Sequence, residues 1–166
     1  MLEVFLGADT PVKQIDISVG FPFLVFLSIV INPFLGAFGL ALGNFIVLYT
    51  LANQIIGNVD WGIIICSFLN CISISLAMKK INLRNEFFGR DQIIYFNRVQ
   101  IVSNLFYWAG LYPLFKFLLK HGEYLKTLSW GMWQAFGNTL SCLLAATLFI
   151  VLYSRSQYTE ANFYRS

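Results

Sequence analysis

Two stripes of amide and indole side chains are the part of this sequence best suited to bind a ligand. The first stripe consists of Asn97, Gln100, Asn104 and Trp108. The second consists of Trp130, Gln134, Asn138 and Ser141, with Trp133 beside it. Spacings of three and four residues put each set on one face of a helix.

Facing stripes of this kind allow two interpretations. The amides either hydrogen-bond to each other as structural glue, or they line a cavity for a polar small molecule. The flanking tryptophans favour the cavity, because stacked rings together with amide donors and acceptors suit planar heterocyclic ligands. Trp and Tyr also populate membrane interfaces for lipid reasons alone, so a single Trp is weak evidence.

Catalytic and metal-binding groups are scarce. His121 is the only histidine and falls in a predicted loop, and the cysteines lie in apolar runs at spacings of 5 and 71, which match no metal motif. No carboxylate lies inside a predicted membrane segment, apart from Asp60 at a helix end, and no nucleotide-binding loop is present. The sequence therefore predicts no enzyme, cofactor or metal centre, and any ATP would be used by another chain.

Charge placement predicts that the elements positioning these stripes cross a lipid bilayer. Hydrophobic residues make up 58% of the chain and charged residues 11%, whereas soluble domains carry about 25% charged residues. No Asp, Glu, Lys or Arg occurs in the 43 residues between Asp16 and Asp60, nor in the 28 residues Thr127–Ser154. A helix needs about 20 apolar residues to cross the hydrocarbon core.

We therefore expect an all-α integral membrane protein, a bundle of about five transmembrane helices forming one domain over residues 1–166. The segments are predicted at about 20–31, 34–52, 61–78, 92–115 and 127–153. Asn32-Pro33 predicts a break or hairpin, because proline cannot continue a helical hydrogen-bond ladder. Gly36, Gly39 and Gly43 lie at spacings that let helix backbones approach closely.

The positive-inside rule predicts the orientation. With five segments, one face carries Lys79, Lys80, Arg84, Arg90, Arg155 and Arg165, with Arg98 nearby. The other carries Lys13, Lys116, Lys120 and Lys126. This bias predicts a cell-membrane protein with a cytoplasmic C-terminus, and a ligand site that opens to the outside.

Three stretches resemble one membrane protein family. Gly89–Tyr112 reads GRDQIIYFNRVQIVSNLFYWAGLY, Trp130–Tyr153 reads WGMWQAFGNTLSCLLAATLFIVLY, and Phe21–Asn44 reads FPFLVFLSIVINPFLGAFGLALGN. They resemble the substrate-binding S components of energy-coupling factor (ECF) transporters, in a branch without an assigned substrate. The resemblance extends from near Pro11 to Arg155.

The resemblance implies a six-helix S component, here with the first helix missing or shortened. Such a subunit captures a vitamin-like molecule from outside and docks on a transmembrane coupling subunit driven by two ATPase subunits. Docking would rely on the face of Gly36, Gly39 and Gly43, because the start of the chain lacks the family's small-residue motif. Asn44 stands where the branch has His and Leu48 where it has an acidic residue, so we expect either a different ligand or a loss of transport.

Three functions follow as hypotheses. The first is substrate capture for an ATP-driven importer, with Asn44, Gln100, Asn104, Trp108, Trp130, Trp133, Gln134 and Asn138 as the predicted binding residues. The second is a non-transporting membrane sensor or scaffold derived from an S component. The third, an enzyme within the membrane, would need a convergent cluster of ionisable residues.

Overall fold

The computed structural model describes residues 20–51, 60–79, 88–120 and 124–163. Over these ranges the chain forms helices and no strand, which confirms the predicted all-α class. The helices are α1 (Gly20–Val30), α2 (Pro33–Ile46), α3 (Trp61–Met78), α4 (Arg90–Asn104), α5 (Tyr112–Lys120), α6 (Tyr124–Ser141) and α7 (Thr147–Phe163).

Wider π-helical turns join several of these helices without a break. Val47–Leu51 prolongs α2, Leu105–Leu111 joins α4 to α5, and Cys142–Ala146 joins α6 to α7. The described chain therefore forms five continuous helical units. Isolated π-helical turns inside α-helices are frequent at functional sites.

The surface of the bundle is that of a membrane protein. Within the described residues, three helices are long and apolar enough to cross a bilayer: Pro33–Thr50, Trp61–Met78 and Tyr124–Gln157. Large apolar side chains lie on the outside, including Phe38 at 64% exposure and Leu144 at 69%. Exposed apolar area on this scale is unusual in a soluble monomer but suits contact with lipid.

The fourth predicted segment lies in the unit formed by α4 and α5. This unit is not among the three apolar spans, because its first half carries many polar residues. The prediction that residues 92–115 cross the membrane therefore stays a prediction.

A helical hairpin forms at Asn32-Pro33, as predicted. The Asn32 side chain accepts a hydrogen bond of 2.8 Å from the Phe34 N–H, and Pro33 occupies the first turn of α2, where its missing N–H costs nothing. Gly36 lets α2 lie directly against Leu24 and Ser28 of α1. The 11 described residues of α1 extend about 16 Å, roughly half the thickness of the hydrocarbon core.

Two buried clusters fill the bundle at its opposite ends. The large cluster comprises Phe21, Val25, Ala37, Leu40, Cys71, Ile74, Met78, Phe88, Phe96, Cys142, Ala146 and Ile150. The aromatic cluster comprises Cys66, Trp108, Tyr112 and Ala135, with Trp130 packed against it. Along α3 and along α4–α5, buried amides separate the two clusters.

Candidate functional site

The aromatic cluster brings together one ring from each predicted stripe and one ring that neither stripe contains. Trp108 lies 5.9 Å from Trp130 and 5.9 Å from Tyr112, and Tyr112 lies 4.9 Å from Trp130, measured between ring centroids. Trp108 is 2% exposed. Its indole Nε1 is the one fully buried side-chain nitrogen or oxygen of the described residues without a hydrogen-bond partner.

A carboxylate and an ammonium group close the end of the bundle next to this cluster. Asp60 caps the start of α3 by accepting a hydrogen bond from the Gly62 N–H at 3.2 Å. It also accepts one from the Tyr112 hydroxyl at 2.9 Å and forms an ion pair with Lys116. The Lys116 ammonium lies 5.9 Å from the centroid of the Tyr112 ring. Asp60 therefore ties the first turn of α3 to α5.

The π-helical turn Leu105–Leu111 keeps the buried residues of this unit on one face. Gln100, Asn104, Trp108 and Tyr112 recur every four residues and are all buried. In a regular α-helix each step of four residues drifts around the axis by about 40°. A wider turn drifts in the opposite sense, so it brings Trp108 and Tyr112 back to the interior.

Gly131 is what allows α6 to approach this turn. A side chain at this position would collide with the carbonyl group of Trp108. The backbones of α6 and of the turn therefore touch at Trp108. This contact fixes the position of Trp108 along the bundle axis. The absence of a side chain is required here, as at the small-residue contacts of membrane helices in general.

The amides between the two clusters bond mainly to one another. Asn70 donates to the Asn104 carbonyl oxygen at 2.7 Å and accepts from the Ser103 hydroxyl at 2.6 Å. Asn104 donates to Gln100 at 3.4 Å, and Gln100 donates to the Thr139 backbone carbonyl at 3.3 Å. This amide layer links α3, α4 and α6 and matches the glue interpretation for Gln100 and Asn104.

The other predicted binding residues occupy different surroundings. Trp133 is 38% exposed and packs edge-on against Phe136, so it does not belong to the aromatic cluster. Gln134 is half-buried, and Asn138 is buried at 2% exposure. Asn44 donates to the Ser67 hydroxyl at 2.7 Å, which joins α2 to α3. A role in substrate binding stays a prediction for each of them.

The three glycines predicted to contact a partner protein also occupy different surroundings. Gly36 is buried against α1, and a side chain at Gly39 would lie 3.2 Å from the Leu24 methyl group. Gly43 is half-buried. The first two therefore serve contacts within the chain, and docking through this face stays a prediction.

Sequence reasoning missed several residues of this region. Tyr112 and Lys116 lie four and eight residues after Trp108, so the stripe could have been extended to them. Asn70 is an amide inside a predicted membrane segment, which is itself a signal. Gly131 carried no such signal among 12 glycines. No group of three or more His, Cys, Asp or Glu in the described part of the chain could hold a metal ion.

Comparison with known proteins places this chain near one group of bacterial relatives. It is 27% identical over 166 residues to a UPF0397 protein of Lactobacillus acidophilus, with 98% of this chain and 85% of the relative covered. It is 28% identical over 163 residues to UPF0397 proteins of Lactobacillus helveticus and Staphylococcus aureus, again over 98% of this chain and 85% and 86% of the relatives. No family model and no solved structure matches. The chain is thus similar along almost its whole length to UPF0397 proteins, a designation that names neither substrate nor activity.

Proposed function

We propose that this protein is the substrate-capture subunit of an ATP-driven, ECF-type importer for a small vitamin-like molecule. The observation that carries the proposal is the unpartnered indole N–H of Trp108, buried among Tyr112 and Trp130. A buried donor without an acceptor costs about 1–3 kcal/mol. A ligand that presents a carbonyl or ring nitrogen to this group would relieve that cost.

The surroundings of Trp108 define what such a ligand would look like. The rings of Tyr112 and Trp130 offer faces and edges for a planar heterocycle. Asp60 and Lys116 supply an acceptor and a donor at the adjacent end of the bundle, where both are partly exposed. The predicted orientation puts this end outside the cell, on the side from which an uptake subunit takes its substrate.

The proposed partner proteins would supply the energy for transport, because the described bundle has no chain of ionisable side chains that could couple transport to protons. An importer that accumulates its substrate against a gradient must draw on an energy source, and the sequence has no nucleotide-binding loop. We therefore propose a transmembrane coupling subunit and two ATPase subunits as partners in the cell membrane. Co-expression followed by affinity purification of this chain tests the assembly, and a chain that never retains such subunits would contradict it.

Ligand binding is best tested with two tryptophan variants. Purified protein is first screened by thermal shift against B vitamins and nucleobase precursors. For the compound that binds, Trp108→Phe should weaken binding by about 1–3 kcal/mol, because it removes the N–H but keeps a ring. Trp61→Phe is the matched control, since Trp61 is half exposed, packs against Phe45 and lies outside the cluster. Equal effects of the two changes would refute a binding role for Trp108.

A second function, a membrane sensor or scaffold without transport, is favoured by the amide layer. Asn70, Gln100 and Asn104 satisfy one another, as expected for side chains that hold helices together. The two functions differ in two results. A scaffold would co-purify with partner proteins in the absence of ligand, and none of these partners would be an ATPase. In a scaffold, Asn104→Ala would lower thermal stability without altering the affinity for any compound.

A further inference from the structure

A groove on the outer side of α4 adjoins the aromatic cluster only through Tyr107, which packs against that cluster. It encloses about 450 Å³ and is lined by Arg98, Val102 and Phe106, with Ser73, Ser103 and Tyr107 among its other walls. Val102 is 67% exposed and Phe106 60% exposed. The groove therefore opens onto the apolar surface of the bundle and not into its interior.

Arg98 stands at one end of this groove with an unusual environment for its charge. It lies eight residues into α4, about 12 Å from the first residue of that helix, and 17 charge-free residues follow it. The single ion pair within the described ranges joins Lys116 to Asp60, so Arg98 has no carboxylate partner there. A guanidinium near lipid is costly unless it meets an anion or reaches the interface.

The rest of the groove is suited to a hydrocarbon chain. Arg98, Val102 and Phe106 recur every four residues and so form one continuous row. The row extends about 12 Å along the helix axis, which compares with about 15 Å for one leaflet of the hydrocarbon core. The Ser73 and Tyr107 hydroxyls bond to each other at 2.7 Å in the groove wall, and either oxygen has capacity for a further polar contact.

We propose that this groove binds one anionic phospholipid. The phosphate pairs with Arg98, whose planar guanidinium binds phosphate oxygens through two parallel hydrogen bonds. One acyl chain lies along Val102 and Phe106. Charge complementarity distinguishes this occupant from a neighbouring apolar helix, which would leave the guanidinium without an anion.

Native mass spectrometry of the purified protein tests the proposal. The protein is released from nanodiscs containing equal amounts of phosphatidylglycerol and phosphatidylcholine, and the retained lipids are counted. The wild type should retain phosphatidylglycerol preferentially. Arg98→Gln should reduce that preference about tenfold, and Arg98→Lys should retain part of it because an ammonium is only a point charge.

Lys79→Gln is the matched control, because it removes one positive charge at the end of α3 without altering the groove. Lys79→Gln should leave the preference for phosphatidylglycerol unchanged. If Lys79→Gln and Arg98→Gln lowered this preference equally, general surface charge would explain the effect and the proposal would be overturned. If Arg98→Gln does not fold, Val102→Trp tests the proposal instead, since the larger side chain fills the apolar part of the groove and leaves the Arg98 charge in place. Retention of phosphatidylglycerol by that variant would overturn the proposal.

Two other occupants would also be revealed. Inorganic phosphate that displaces the lipid or stabilises the wild type equally well would assign the site to a free anion. A membrane protein that co-purifies with the wild type and is lost with Val102→Trp, in place of lipid, would assign the groove to a partner helix. Either result would overturn the lipid proposal.

Discussion

The two ends of this helical bundle are filled in different ways. The large cluster contains 12 buried residues, nearly all apolar, and Ala37, Cys71, Cys142 and Ala146 within it are fully inaccessible. The aromatic cluster has only four buried members, yet it adjoins an ion pair and contains a buried donor without a partner. The same α3 contributes to both, through Cys71 and Cys66.

This difference follows from what holds helices together in lipid. Lipid tails are as apolar as the side chains, so removal of apolar surface from water does not hold the bundle together. Close packing and hydrogen bonds stabilise it instead. The large cluster meets that requirement with small residues at the helix contacts. The aromatic cluster leaves a polar group unsatisfied, as expected if this end binds the ligand proposed above.

The largest expected effect concerns the backbone contact beneath Trp108. Gly131→Ala should lower the free energy of unfolding by about 2–3 kcal/mol, because the new methyl group collides with a carbonyl that cannot move without shifting the helix. Thermal unfolding in detergent, followed by tryptophan fluorescence, measures the change. A loss of this size would show that the aromatic cluster depends on the backbone contact at Gly131.

Gly110→Ala is the matched control for that variant. The nearest atom to a side chain at Gly110 is the Leu105 carbonyl oxygen at 3.9 Å, so there is room. Alanine also favours the helix by about 1 kcal/mol relative to glycine. This variant should unfold at the wild-type temperature or above, and a loss equal to that of Gly131→Ala would contradict the proposed contact.

A smaller effect is expected in the amide layer between the clusters. Asn70→Leu removes two hydrogen bonds and leaves Asn104 and Ser103 without those partners. It should lower the free energy of unfolding by about 1–2 kcal/mol, since one such bond in a membrane protein contributes about 0.6 kcal/mol on average. Asn44→Leu removes the single bond to Ser67 and should cost about half as much. Chemical denaturation in mixed micelles compares them, and an equal cost would show that the layer does not act as a network.

The smallest effect is expected at the ion pair that closes the aromatic end. Asp60→Asn and Lys116→Met, singly and together, form a double-mutant cycle. Because both side chains are partly exposed, at 15% and 23%, their coupling energy should be about 0.5–1 kcal/mol. It should disappear in about 1 M salt, where charges are screened within a few ångströms. A coupling energy unaffected by salt would place the pair in a drier environment than its exposure indicates.

The sequence predicted those parts of the fold that depend on neighbouring residues. Asn32-Pro33 specifies a cap and a first helical turn by itself, so the hairpin between α1 and α2 was predictable. The long charge-free runs likewise specify the apolar helices. The helix faces of Gln100, Asn104 and Trp108 followed from their spacing, and all three residues are buried.

What the spacing could not predict is which helix each face meets. Asn70 completes the amide layer from α3, a segment whose polar residues form no long stripe. Trp130 and Trp133 are three residues apart and were both predicted to bind the ligand, yet one packs against the aromatic cluster and the other lies on the surface. Their fates depend on the rotation of α6 against α4–α5, which the contact at Gly131 determines.

The wide turn at Leu105–Leu111 makes this chain sensitive to a change in length as well as in composition. A π-helical turn fits about one more residue into the same rotation than a regular α-helix does. Removal of one residue there would therefore allow a regular helix to form while Tyr112 and Lys116 keep their orientation towards Asp60. Insertion of one residue would instead rotate everything beyond it by about 100° around the axis, and would carry both side chains away from Asp60 although neither had been substituted. A one-residue insertion in this stretch should therefore be far less tolerated than a one-residue deletion.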